Sequence, residues 1–344
     1  MQELRGPGAA QPSAAANTSG SVFSKNPLPL DALNAVDADL HLTIDRLVLP
    51  PALLLEAARG RIALSRGKLS TQSLEMRMGG GGVKLTGALD ASDAKHAQFR
   101  VNASGSKIEL GKMMAALGQG DVITGGPTEL EIDLRSVGAS SAALAAALEG
   151  HVKLVTGPAR TRNRVLDSAG LNIVAQVLNA VNPTRRTEQY TQVECAVINV
   201  PVTKGVVIVD RTVAIETSNV GIAMAGRINL GAETIDLSIR PQAKKGIGVG
   251  GLANLVKVQG TLADPSIGVD IAGAAGTAAQ IGIGVMTGGL SLLAKGLFDS
   301  ATMEAPCETA LRGGKAPASG APSGRSAEQP AGGGVGGFFE RLFK

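Results

Sequence analysis

The chain has 344 residues, 44% of them hydrophobic, yet it holds only six Phe, one Tyr and no Trp beside 46 Gly. Buried surface must therefore come from Leu, Ile, Val and Ala, which suits broad sheets of small side chains and argues against an aromatic-anchored pocket or a module that stacks nucleic-acid bases. The 33 basic and 29 acidic residues leave a net charge of only +4, so no dominant polyanion partner is implied, and the length admits either two domains or one elongated sheet.

Residues 1–29 form a Pro/Ala/Ser/Gly stretch with no apolar segment able to offset the ordering entropy, and are expected to be a flexible linker. No basic segment followed by an apolar run stands here, so neither a secretory signal nor an N-terminal anchor is expected, and the chain reads as the tail of something longer. From about residue 37 the dominant signal is period two. In residues 39–45 Leu40, Leu42 and Ile44 fall on one face of a pleated strand and polar side chains on the other. The alternation recurs in 73–78, with Leu74 and Met76, in 98–101, and in 129–135, with Leu130, Ile132 and Leu134. Further on, Val213 and Ile215 belong to the segment that begins at residue 205, and Ile235 and Leu237 to 234–240. These segments are expected as antiparallel strands buried on one side, with turns at 79–82, 217–219 and 231–233.

Helical signals are fewer. Ser140, the pair Leu144 and Leu148, and Gly150 as a stop predict one short helix over 140–149, and 110–117 predicts another. The longest amphipathic candidate is 164–181, where Leu166, Ala169, Ile173, Val177 and Val181 line one stripe and Pro183 ends the run. Arg160, Arg162, Arg164, Arg185 and Arg186 flank it, and a helix packed on a sheet edge with solvated ends is favoured over one that meets anionic headgroups. The uncharged run 271–294 is long enough to span a membrane, but its glycines and alanines make insertion marginal, and a helix or helical pair covering the end of the sheet is expected. Residues 312–344 read as a second flexible tail, closed by an apolar tip of Phe338, Phe339, Leu342 and Phe343 that either frays or touches a membrane or a partner groove.

Two segments, 67–90 and 205–229, follow one plan: an opening glycine, an alternating strand, a turn and a second alternating strand. With the strands around them the repeat spans about 60–101 and 198–239, and 259–265 echoes its end. Meanders that each leave one face apolar need a continuing partner face, so one long sheet built by accretion is more natural than two globules. The expected fold is mainly β: an elongated, curved antiparallel sheet over residues 30–311, with a few short helices and a C-terminal helical segment. Its apolar face either closes on itself or forms a groove for acyl chains, and composition does not choose between them.

The helix and strand of 141–154, SAALAAALEGHVKL, the strand around 194–197, the run GRINLGAETIDL at 226–237, GTLADP at 260–265 and the late Pro306-Cys307 carry a resemblance. Over Asp31 to Leu311 the chain resembles the C-terminal region of the AsmA family, envelope proteins of Gram-negative bacteria related to bridge-like lipid-transfer proteins. The resemblance implies a periplasmic protein, usually anchored in the inner membrane by an N-terminal helix, whose hydrophobic groove helps move phospholipid toward the outer membrane or maintain that membrane. The chain departs from the pattern by lacking the anchor and much of the N-terminal part, as a fragment or one half of a split gene would.

Chemistry is sparse. His41, His96 and His151 are scattered without metal-ligand spacing or a nucleophile partner and are expected to face solvent. Cys195 and Cys307 are too far apart for a CxxC site; an oxidising periplasm would permit a disulfide pinning the C-terminal segment to the second repeat, and two free thiols are the equal alternative. Residues 246–251 match GxGxxG, but the chain returns quickly to strand character where a dinucleotide site needs a helix, so a glycine loop entered by Lys244 and Lys245 is expected. No nucleophile, base and orienting acid stand out, so neither an enzyme nor a cofactor or metal is expected. The expected function is lipid handling, with phospholipid acyl chains against Leu40, Leu42, Ile44, Leu74, Met76, Leu130, Ile132, Leu134, Val213, Ile215, Ile235 and Leu237. Membrane contact through 271–294 or the C-terminal tip, an envelope protein partner and no nucleic acid complete the expectation; the alternative is a non-enzymatic interaction module affecting outer-membrane protein assembly.

Overall fold

A computed structural model describes residues 20–49, 53–116, 118–120, 122–162, 189–218, 220–243, 255–270 and 305–315. The readings made for 164–181, 246–251, 271–294 and 316–344 lie outside the described residues. Wherever the sequence alternates, a strand forms. In chain order these are β1 (Ala38–Leu49), β2 (Leu53–Ser65), β3 (Lys68–Met78), β4 (Gly81–Asp90), β5 (Gln98–Glu109), β6 (Ile123–Gly125), β7 (Pro127–Val137) and β8 (Glu149–Thr156). They continue with β9 (Ala159–Arg162), β10 (Tyr190–Thr203), β11 (Val206–Thr217), β12 (Val220–Asn229), β13 (Thr234–Ala243), β14 (Leu255–Thr261) and β15 (Pro265–Asp270). All 15 belong to one antiparallel sheet whose spatial order follows the chain, with β6 and β9 as a side branch on β10. β1 and β15 are its two edges, and the sheet does not close.

The repeat is a pair of hairpins, β3–β4 and β11–β12. The glycine that opens each copy is the second residue of a two-residue turn: Arg66 and Gly67 have φ of 48° and 72°, and Lys204 and Gly205 have 48° and 70°. Two successive left-handed residues match the right-handed twist of the strands they join. Three further non-glycine residues with positive φ, Ala57, Lys107 and Arg211, sit at breaks in register between β2 and β3, β5 and β7, and β11 and β12. Such bulges bend the strand and increase its twist, which is how a sheet of this length departs from a flat ribbon.

Among the described residues the α-helices are α1 (Leu110–Ala116), α2 (Ser141–Ala146) and α3 (Pro306–Leu311). Ser140 caps α2 by accepting a hydrogen bond from the Ala143 N–H at 3.1 Å, as its position predicted. The helix ends earlier than Gly150, however, and Gly150 lies in β8 between Leu134 and Val202 with φ of 134°. A Cβ there would stand 1.9 Å from the Asp133 carbonyl oxygen, so the glycine serves close cross-strand approach rather than a helix stop. Gly150→Ala is expected to cost about 3 kcal/mol of stability through strain and displacement of β7, measured as a lowered urea midpoint; an unchanged midpoint would mean the strand accommodates the methyl group.

Residues 20–29, read from composition as the end of the N-terminal linker, are tied to the body. The Glu233 carboxylate accepts hydrogen bonds from the Ser21 hydroxyl at 2.5 Å and from the Val22 and Phe23 N–H groups at 2.6 and 3.1 Å. The Ser21 hydroxyl, before the two amides, holds the Glu233 carboxyl below its usual range. The Ser24 carbonyl then accepts from Ser141 Oγ and the Ala142 N–H, and the Leu28 N–H donates to the Ala139 carbonyl.

Candidate functional site

In an antiparallel ladder directly opposed residues point to the same face, so the register can be followed across the sheet from strand to strand. Starting at Leu42 on β1 it runs through Gly60, Leu74, Leu85, Ala103, Ile132, Val152 and Val200. Beyond the irregularity between β10 and β11 it continues through Val209, Gly226, Leu237, Val258 and Ile267. On one side a parallel row begins at Leu40 and Ile62 and passes Val101, Leu134, Val202, Val207, Ile228 and Ile235. On the other a row begins at Ile44 and Ala58 and passes Met76, Val83, Leu130, Leu154, Ile198, Val213, Met224, Ile239 and Val256. Ile215, opposite Ile222, lies one step beyond that third row.

All twelve residues picked out by alternation therefore share one face of one sheet. No charged residue occupies these rows among the described residues, and Thr71, opposite Ile62, is their polar member. The face is graded along its length. On β1 to β8 it is largely open: Leu40 is 52% exposed, Leu42, Ile44, Leu74, Met76, Leu130, Ile132 and Leu134 are half-buried, and Ala58 and Val83 are buried. On β10 to β14 it is packed: Val200, Val209, Val220, Ile222, Leu237, Ile239, Val256 and Val258 form a buried cluster against which Val213, Ile215 and Ile235 lie. Four of the twelve, Val213, Ile215, Ile235 and Leu237, thus belong to a core or its margin, and eight line the open part.

Alternation missed the residues that complete the rows between the chosen strands: Ile62, Leu85, Ala103, Val152 and Leu154. The signal was present in VKLTGA of β4 and HVKLV of β8, but glycines stand at row positions 60, 87, 105, 150 and 226 and interrupt the apolar period. A period-two count that admits glycine as neutral would have found them.

The opposite face of β1 to β8 is a solvated lattice of ion pairs. Lys84 meets Glu75 at 3.2 Å, Lys68 meets Asp90 at 2.9 Å, Lys153 meets Glu131 at 3.4 Å, Arg135 meets Glu149 at 2.8 Å, and Arg61 pairs with Asp39. Pairs as exposed as these add little stability; they set the polarity of the face. The Asp90 carboxyl is held down to about 2, first by the Ser92 hydroxyl and then by Lys68. His41 and His96 are exposed, His96 with Nδ1 2.8 Å from Asp93, and His151 is half-buried opposite Asp133.

At the β10–β12 end the same opposite face carries α3. Cys195 and Cys307 form a disulfide with a Cα separation of 6.5 Å, both fully buried, which decides between the two readings left open by the sequence. Val155, Val197, Ala214 and Ala310 pack around it. The buried Glu216 carboxylate accepts a hydrogen bond from the Cys307 N–H at 2.8 Å, and Asn199 Nδ2 donates to the carbonyls of Ala310 and Leu311 at 2.9 and 3.1 Å. Both orphan ends of the short helix are thereby met by side chains of the sheet. Cys195, Glu216 and Cys307 have the closeness of a ligand set, but the sulfurs are bonded to each other and so offer no thiolates.

The AsmA family matches residues 2–212 of the chain. The chain belongs to the AsmA family. The match begins upstream of Asp31 and ends within β11, short of Leu311. The chain is similar to the AsmA family protein YhjG of Escherichia coli (strain K12), with 26% identity over 250 residues, covering 73% of this chain and 35% of that protein. It therefore spans about a third of that relative's length. No solved structure matches. Among the described residues no helix is long and apolar enough to cross a membrane.

Proposed function

We propose that this AsmA-family chain is a lipid-handling protein of the cell envelope whose apolar sheet face holds phospholipid acyl chains, in support of phospholipid transport between the inner and outer membranes or of outer-membrane upkeep. One observation carries the reading: three uncharged rows run side by side across thirteen strands, and on β1 to β8 most of their side chains are left half-exposed. At about 4.8 Å per strand the open part extends roughly 30 Å, and three rows two residues apart make it roughly 14 Å wide. A water-exposed apolar strip of that size marks a binding surface rather than ordinary monomer surface. Acyl chains need no directional contacts, which matches a face whose row positions offer one hydroxyl and no charge. The buried disulfide fits an oxidising compartment such as the periplasm.

The test is site-specific crosslinking in bacterial cells. A benzophenone amino acid at Leu42, Leu74 or Ile132 is expected to capture phospholipid, and one at Lys84 or Ser104, on the opposite face, is not. Capture of protein instead of lipid at the front positions would favour the alternative of an interaction module affecting outer-membrane protein assembly. Equal lipid capture on both faces would contradict the groove.

A further inference from the structure

Residues 20–34 run back across the ends of the strands, from β13 toward β4, and their anchors follow in order. Ser21, Val22 and Phe23 meet Glu233, which precedes β13. Ser24, Pro27 and Leu28 meet residues 139–142 at the start of α2. Leu30, in a 3₁₀ turn over Leu30–Asn34, packs with the buried Ala91 and Ala97 of the β4–β5 connection, and Asn34 Nδ2 donates to the Ala91 carbonyl at 3.1 Å. Leu89, on the same face of β4 as Leu85, packs against this cluster, and Ser136, on the same face of β7 as Leu134, donates to the Leu144 carbonyl of α2 at 2.6 Å. The 3₁₀ turn and α2 therefore border the apolar rows along this side.

The segment has little length to spare. Seven strand pairings separate Ala91, after β4, from Glu233, before β13, about 34 Å along a flat sheet. The backbone of residues 23–34 reaches about 31 Å at most, extended up to Leu30 and rising about 2 Å per residue in the 3₁₀ turn. Pro29 shortens it further: the Leu30 N–H donates to the Leu28 carbonyl at 2.7 Å, and φ and ψ of −75° and 55° at Pro29 make an inverse γ-turn. A segment this short, held at both ends and at α2 between them, favours a curved sheet over a flat one. Its far end hangs on a residue with an unfavourable backbone. Glu233 has φ of 52°, a left-handed conformation that costs any side chain but glycine, yet its carboxylate is what meets Ser21, Val22 and Phe23.

We propose that residues 20–34 are a strap that holds the sheet in its arc, with Glu233 as its clasp, so that a releasable polar contact sets the curvature of the apolar face between β4 and β13. The strap acts in this way whatever the face holds. The experiment is pulsed dipolar spectroscopy on the full chain, with nitroxides attached through a ketone amino acid at Ser70 and Arg227, which leaves the disulfide untouched. Both are exposed positions on the opposite face, in β3 and β12. The parent is compared with Glu233→Gly, whose backbone suits the left-handed turn, and with the isosteric Glu233→Gln; hydrogen exchange of the Val22 and Phe23 amides reads the clasp. Glu233→Gly is expected to speed exchange of both amides at least tenfold and to lengthen the mean distance by at least about 3 Å, the shortfall of the strap against a flat sheet. Glu233→Gln, which keeps one acceptor oxygen, should fall between the two. Fast exchange with an unchanged distance would overturn the strap and leave the arc to the bulges at Ala57, Lys107 and Arg211. Amides that stay protected in both variants would overturn Glu233 as the clasp.

Discussion

The double variant Leu74→Asp, Ile132→Asp is expected to fold and to retain less than a tenth of the lipid that the parent protein carries. Both residues are half-buried on the open part of the face, three strand pairings apart, in the same cross-strand row. A carboxylate there meets water when the groove is empty and acyl chains when it is full, and desolvating it without a partner costs several kcal/mol, more than the tenfold change the measurement reads. Ile235 is a poorer choice, because it packs against the buried cluster of β10 to β14 and an acid there would test folding instead. Thr86→Asp, Ser104→Asp places the same charges on exposed positions of the opposite face, where Ser104 lies opposite Lys84, and should leave lipid content unchanged. Full retention of lipid by a folded Leu74→Asp, Ile132→Asp protein would contradict acyl binding on this face.

Replacing Cys195 and Cys307 by serine is expected to produce the largest loss of stability. The bond closes a sequence separation of 112 residues, for which the chain-entropy model gives about 5 kcal/mol. The sheet side of the contact is built around it: Glu216 holds the Cys307 N–H and Asn199 caps the end of α3, so undocking the helix leaves a carboxylate without that donor in a site made of Val155, Val197 and Ala214. The thermal midpoint of the double variant should fall by more than about 10 °C, and protease should cut near residues 305–315 sooner than in the parent protein. A fall of less than about 2 °C with unchanged proteolysis would show that the docked helix holds without the bond.

Much of this architecture is written in period two. Because Leu40, Leu42 and Ile44, or Leu130, Ile132 and Leu134, alternate with polar or charged residues, strand, face and polarity follow together, and the repeat at 67–90 and 205–229 is a repeated hairpin with a repeated turn. Other features depend on tertiary context. A bulge at Ala57, Lys107 or Arg211 leaves no mark, since none of these side chains favours positive φ. Gly150 resembles a helix stop from its neighbours alone, and only the approach of Asp133 shows its purpose. The docking of residues 20–29 rests on partners distant in sequence, Glu233 more than 200 positions away and Ala139, Ser141 and Ala142 more than 100. The grading of the face, open at Leu74 and closed at Leu237, is equally invisible to alternation, because a half-exposed row and a core row have the same pattern.

The most direct measurement is native mass spectrometry, with lipid extraction, of the full chain purified from a bacterial periplasm. Binding of acyl chains along β1 to β8 predicts at least one phospholipid per protein, released on unfolding and absent from the Leu74→Asp, Ile132→Asp variant. A folded, monodisperse, lipid-free parent protein would contradict it and give the open face to a protein partner.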